Sequence, residues 1–144
     1  MQFIFSVLLF LVFLTISILH FYWVFGGTKG LNKALPTNEK GKRVLNPKKV
    51  ETTLVALGLL LFGIFYLQKT NLRLIILPDY YFFRNLGTII PILFTIRAIG
   101  DFKYIGFFKK IKNTEFGKFD TKLISFFCLT IGIIGFLLIY IEQL

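Results

Sequence analysis

The chain has 144 residues, is 56% hydrophobic and 18% aromatic with 19 phenylalanines, and carries a formal charge of +10. Its apolar residues are gathered in blocks and its charges fall between them, which argues against a soluble globular domain and for an integral membrane protein. The positive excess then reflects basic cytoplasmic loops rather than nucleic-acid binding, and the single cysteine, Cys128, excludes an intramolecular disulfide and gives no basis for a metal site.

The first apolar block runs from about residue 3 to 25. At ~1.5 Å per residue it reaches about 34 Å, enough to cross a hydrocarbon core of ~30 Å. It lacks the early basic residues of a signal peptide and ends in Phe-Tyr-Trp-Val-Phe, unlike a cleavage site, so it is read as a retained first helix. Tyr22 and Trp23 suit an interfacial aromatic belt. Gly26-Gly27 stops the helix and opens a loop over residues 26–49. In that loop Lys29, Lys33, Lys40, Lys42, Arg43, Lys48 and Lys49 oppose only Glu39.

The second block covers about residues 50–67. Glu51 and Thr52 stand at its start, where a carboxylate is favoured by the helix dipole. Gly58 and Gly63 offer places for a neighbouring helix to approach. A short connection over 68–80 carries Lys69, Arg73 and Asp79, and Leu74–Leu77 is too short to span. The third block covers about residues 80–99, with Arg84 near its start and Pro91 in its middle. Proline removes a backbone hydrogen bond there, which predicts a kink near Gly87–Pro91.

Next comes Arg97-Ala-Ile-Gly-Asp101-Phe-Lys-Tyr-Ile-Gly-Phe-Phe-Lys-Lys110, where an apolar run meets a basic loop. Lys103, Tyr104, Phe107, Phe108, Lys109 and Lys110 read as an interfacial helix or turn on the inner leaflet. Thr114 and Asp120 are candidate helix caps. The fourth block covers about residues 123–141, with a small-residue face at Cys128, Gly132 and Gly135. The expectation is an all-α single domain over 1–144, a bundle of four transmembrane helices at about 3–25, 50–67, 80–99 and 123–141. Basic loops stay in the cytosol, so loops 26–49 and 102–122 are expected there, with both termini outside.

This topology gathers His20, Glu51, Thr52, Arg97 and Asp101 at one membrane face as a candidate polar site. Ionisable groups in spanning segments are costly unless paired, which makes them functional hypotheses. Arg97 and Asp101, at i and i+4, share a helical face: either a structural ion pair, or an anion clamp with Asp101 orienting Arg97. His20, the only histidine, is either a hydrogen-bonded interfacial residue or a proton carrier held by Asp101. There is no phosphate-binding glycine loop, dinucleotide fingerprint or nucleophile elbow. No cofactor and no metal are expected.

The stretch His20-Phe-Tyr-Trp23-Val-Phe-Gly26-Gly27 and, above all, Arg97 through Lys109 resemble a family of small bacterial membrane proteins, domain-of-unknown-function family 3995. Thr114-Glu-Phe116 and Asp120-Thr121 continue the resemblance, and Ser125-Phe126 departs from its serine-proline. The resemblance implies a four-span inner-membrane protein and supplies no reaction, substrate or partner. The residues themselves favour a non-enzymatic membrane protein whose basic cytoplasmic face binds anionic lipid or a partner protein, a second copy of the chain included. The alternative is a small membrane enzyme or transporter with an inner-leaflet site at His20, Arg97 and Asp101.

Overall fold

The computed structural model describes residues 1–70 and 81–143, with the side chains of 81–84 outside that description. The expectations for Arg73, Asp79, the Leu74–Leu77 stretch and the Arg84 side chain fall outside the described residues. Among the described residues the helices are α1 (Gln2–Val24), α2 (Leu31–Ala34), α3 (Lys49–Gln68), α4 (Tyr81–Ile99), α5 (Glu115–Phe119) and α6 (Ser125–Glu142). A π-helical turn, Asp120–Ile124, joins α5 to α6. Gln2–Val24, Lys49–Gln68 and the continuous Glu115–Glu142 are long and apolar enough to cross a membrane, and Asn85–Ile99 is a shorter apolar helix. The chain is thus all-α with membrane-spanning character. The last helix starts earlier than the apolar run suggests, because Thr114 caps it: its Oγ1 accepts the Gly117 amide at 2.9 Å.

The chain divides into two compact units, and the division falls inside α4 and inside α6. The first comprises Met1–Gly27, Lys48–Pro91 and Ile134–Leu144. Its centre is α1 against α3. Ser6, Leu9, Phe13 and Ser17 are buried, and their spacing of three or four residues puts them on one stripe. Ala56 and Gly63 on α3 are small enough to let the two backbones close. An atom added at Gly63 would sit 3.4 Å from Phe13 Cβ, and the Ser17 hydroxyl donates to the Ala56 carbonyl at 2.8 Å. Phe13 stacks on Tyr66 at 5.8 Å and meets Phe62 edge-on. Gly58, expected to admit a neighbour, faces open space. Gly135 on α6 instead makes the close approach, against Pro91 and Tyr66. The outer surfaces of α1 and α3 remain apolar, with Ile4 67% and Leu54 64% exposed, as a lipid-facing surface requires.

The second unit comprises Thr28–Pro47 and Ile92–Ile133. It contains α2, the end of α4, the 100–114 loop, α5, the π turn and the start of α6. The 28–47 segment folds into a tight turn: Asn38 Oδ1 accepts the amides of Lys40 and Lys42, and Thr37 bridges to Arg43. The segment touches α5, where Lys33 lies over the Phe119 ring at 5.9 Å.

Candidate functional site

The second unit is built on two carboxylates. Helix α4 ends at Ile99, and Gly100 turns the chain with φ +93°. Asp101 Oδ1 then accepts the amides of Lys103, Tyr104 and Ile105 at 2.7–2.9 Å. Partial burial acts to raise the Asp101 carboxyl, but the amides of Ile105, Tyr104 and Lys103 outweigh it, and its pKa falls below the ordinary 3.8. This wrapping forces Phe102 to φ +61°, a conformation costing a non-glycine residue roughly 1–2 kcal/mol. The loop returns so that the Phe107 amide donates to the Ala98 carbonyl at 2.9 Å, closing the C-terminus of α4. That return brings Gly106 against Gly100. A Cβ on Gly106 would lie 2.3 Å from the Ile99 carbonyl oxygen, and one on Gly100 would lie 1.8 Å from that of Ile105.

Asp120 is the second carboxylate, and it is fully buried. Its Oδ1 accepts from Arg97 Nη2 at 2.8 Å. Its Oδ2 accepts from Lys109 Nζ at 2.8 Å, the Gly106 amide at 2.9 Å and the Ser125 hydroxyl at 3.1 Å. Lys109, also buried, donates in addition to the Gly106 carbonyl and to Thr121 Oγ1. The π turn makes this geometry available. The Ser125 amide bonds the Asp120 carbonyl five residues back, so one extra residue per turn brings Ser125 under Asp120. A buried ion pair holds best when its remaining donors and acceptors are satisfied; the Asp120 carboxylate meets that condition, while Arg97 Nη1 is buried without a hydrogen-bond partner.

The same unit contains a cleft of about 610 Å³. One wall is the 37–43 turn with Glu39 and Arg43. The other runs from Lys110 to Glu115, and Asn32 of α2 also lines it. Both walls are held by backbone bonds: the Gly41 amide to Asn38, and the Lys110 and Ile111 amides to the carbonyls of Phe102 and Lys103. Arg43 Nη2 donates to Asn32 Oδ1, fixing one arm of the guanidinium.

The residues singled out in the sequence fall differently. Arg97 and Asp101 do not share a helical face, because α4 stops between them; Arg97 meets Asp120 and Asp101 organises the loop. Lys109, expected at the lipid interface, is buried against Asp120. Asp120, expected as a cap, is the acceptor at the centre of the cluster. The 102–110 stretch is an ordered turn rather than a helix. Phe102 and Phe108 are exposed, with ring centroids 6.5 Å apart. Lys103 lies over Tyr104 at 5.1 Å. Phe107 is half-buried and Lys110 exposed.

His20, Glu51, Thr52, Tyr22 and Trp23 belong to the first unit. His20 Nδ1 is 2.8 Å from the Ile16 carbonyl. A carbonyl only accepts, so that nitrogen carries the proton. Its ring meets Trp23 edge-on at 4.9 Å. Glu51 accepts the Lys48 amide at 2.9 Å and Thr52 donates to the Lys48 carbonyl, so both serve the start of α3. The Tyr22 ring occupies the space a side chain at Gly27 would need. Among the described residues, no group of three His, Cys, Asp or Glu is placed to hold a metal ion.

Residues 13–135 match the family described as protein of unknown function (DUF3995). The chain belongs to that family. The match includes Arg97, Asp101, Lys109 and Asp120, so both carboxylates and their partners lie within the family's span. No curated protein and no solved structure matches the chain.

Proposed function

We propose that the chain is a multi-pass membrane protein of the bacterial inner membrane whose basic cytoplasmic face binds anionic lipid. The observation that carries this reading is the meeting of the two lysine-rich connectors within one unit: Glu39, Gly41 and Arg43 share a cleft with Lys110 and Lys112. Contact between the first and third loops supports placing both on the same side of a bilayer, and their basic excess supports the cytosol. Lys40, Lys42, Lys103, Lys110 and Lys112 are exposed there, and a basic residue near an anionic surface is worth about 1 kcal/mol. Exposed Phe102 and Phe108 beside Lys103 supply apolar anchors at headgroup depth.

Binding is favoured over the enzymatic alternative because Arg97 Nη2 and the Asp101 carboxylate are already engaged, by the buried Asp120 carboxylate and by the loop amides. Both contacts order the scaffold. The test is lipid enrichment around the full-length protein in mixed bilayers of phosphatidylglycerol and phosphatidylcholine, read by lipid co-purification. The wild type is expected to enrich the anionic lipid, and Lys40→Gln/Lys42→Gln/Lys103→Gln to lose most of that enrichment, as should high salt. Equal co-purification of the two lipids with the wild type sinks the reading.

A further inference from the structure

The cleft between the 37–43 turn and the 110–115 segment has a composition that diffuse attraction to an anionic surface does not explain. A surface that only attracts anions is best served by cations alone. This cleft places Glu39 and Glu115 among Arg43, Lys110 and Lys112. Its volume of about 610 Å³ falls in the range of small-molecule sites, roughly 300–1,000 Å³. The backbone of both walls is set by hydrogen bonds, and Arg43 is held by Asn32, which lowers the ordering cost at that one side chain.

We propose that this cleft is a binding site for a phosphate ester that also carries a cationic amine, a group of the phosphoethanolamine class. The phosphate lies against Arg43, whose free guanidinium edge presents paired donors to its oxygens, and against Lys110 and Lys112. The ammonium lies against Glu39 and Glu115. The chemistry is the same whether the group heads a lipid or is a free soluble ester. A lipid headgroup of this class is zwitterionic, so the inference goes beyond the anionic-lipid reading and does not rest on it.

The experiment is calorimetric titration of the full-length protein in detergent with O-phosphoethanolamine and with inorganic phosphate. Saturable binding is expected, with O-phosphoethanolamine about fivefold tighter than phosphate. Arg43→Gln and, on the opposite wall, Lys112→Gln are each expected to weaken it about tenfold. Glu39→Gln should erase the preference over phosphate, while Lys122→Gln, outside the cleft, should change binding by less than about twofold. No saturable binding, equal binding of the two ligands, or losses in the cleft variants no larger than in Lys122→Gln would overturn the proposal.

Nanodiscs separate the sources. Enrichment of phosphatidylethanolamine over phosphatidylcholine that disappears in Arg43→Gln assigns a lipid headgroup; its absence, with soluble binding intact, assigns a free ester. Soluble binding that survives alongside a failure to enrich phosphatidylglycerol would refute the basic-face reading and leave the cleft standing.

Discussion

The two units solve the same problem with different means. In the unit of α1, α3, the start of α4 and the end of α6, helices supply their own backbone hydrogen bonds, and cohesion comes from shape: Phe13 between Tyr66 and Phe62, Ala56 and Gly63 beneath α1, Gly135 beneath Pro91. Lipid tails are as apolar as the side chains, so close packing rather than water exclusion favours such contacts. In the second unit the chain leaves α4 and must satisfy irregular backbone without a helical ladder. There the amides of residues 103–106 go to carboxylates, three to Asp101 and one to Asp120. The first unit should therefore be sensitive to side-chain volume and the second to charge and backbone conformation.

The largest effect expected from this contrast is at Asp120. Asp120→Asn preserves the shape but removes the charge that faces buried Lys109 and half of the Arg97 contact. Stranding a buried cation costs about 3–5 kcal/mol, which lowers the melting temperature in detergent by roughly ten degrees or more. Adding Lys109→Met to Asp120→Asn leaves no uncompensated buried ammonium, and the double variant is expected to recover part of the loss. Thermal melts of the single and double variants measure this coupling. Additive losses would mean that the pair is not what holds the loop to the helix.

Next in size is Gly106→Ala. The new Cβ must sit 2.3 Å from a backbone oxygen that cannot move without opening the end of α4, at φ +88°. Left-handed strain and overpacking together predict a loss of about 2–4 kcal/mol. Hydrogen exchange should localise the damage to residues 98–108 and leave the α1–α3 contact protected. Uniform loss of protection across both units would erase the distinction drawn between them.

The apolar blocks made the helices legible, because a run of about twenty apolar residues is visible without any tertiary information. The partners of the charged residues were not. Arg97 and Asp101 sit four apart, and a helix extended through both would have joined them. The decisive residue was Gly100, which ends α4 between them. Gly100 and Gly106 stand in the segment for close backbone approach, but a glycine's positive φ leaves no trace in hydrophobic period. Asp120 was also within view. It is an acidic residue in a basic connector, at the mouth of an apolar run, followed by Thr121 and then by Ser125 five residues on. A spacing of five belongs to no α-helical face, and only the π turn gives it meaning. The aromatic neighbours of Lys109 point to the lipid interface. The burial of that lysine depends on an acceptor eleven residues away, a distance that local pattern does not address.

The smallest predicted effect tests whether close approach, rather than glycine itself, matters in the first unit. Gly58 and Gly135 are both helical, so alanine gains up to about 1 kcal/mol of helix propensity at either position. At Gly58 an added Cβ meets nothing within 4 Å, and Gly58→Ala is expected to raise the melting temperature slightly. At Gly135 the Cβ would lie 2.8 Å from Pro91 Cβ, with the Tyr66 hydroxyl at 3.2 Å. The proline ring cannot rotate away, so overpacking of about 1–3 kcal/mol outweighs the propensity gain, and Gly135→Ala should melt lower than wild type. Opposite signs from the same substitution isolate packing as the cause. If Gly135→Ala were stabilised as Gly58→Ala is, the contact between α4 and α6 in that unit would be loose enough to admit a methyl group, and shape could not be what holds it.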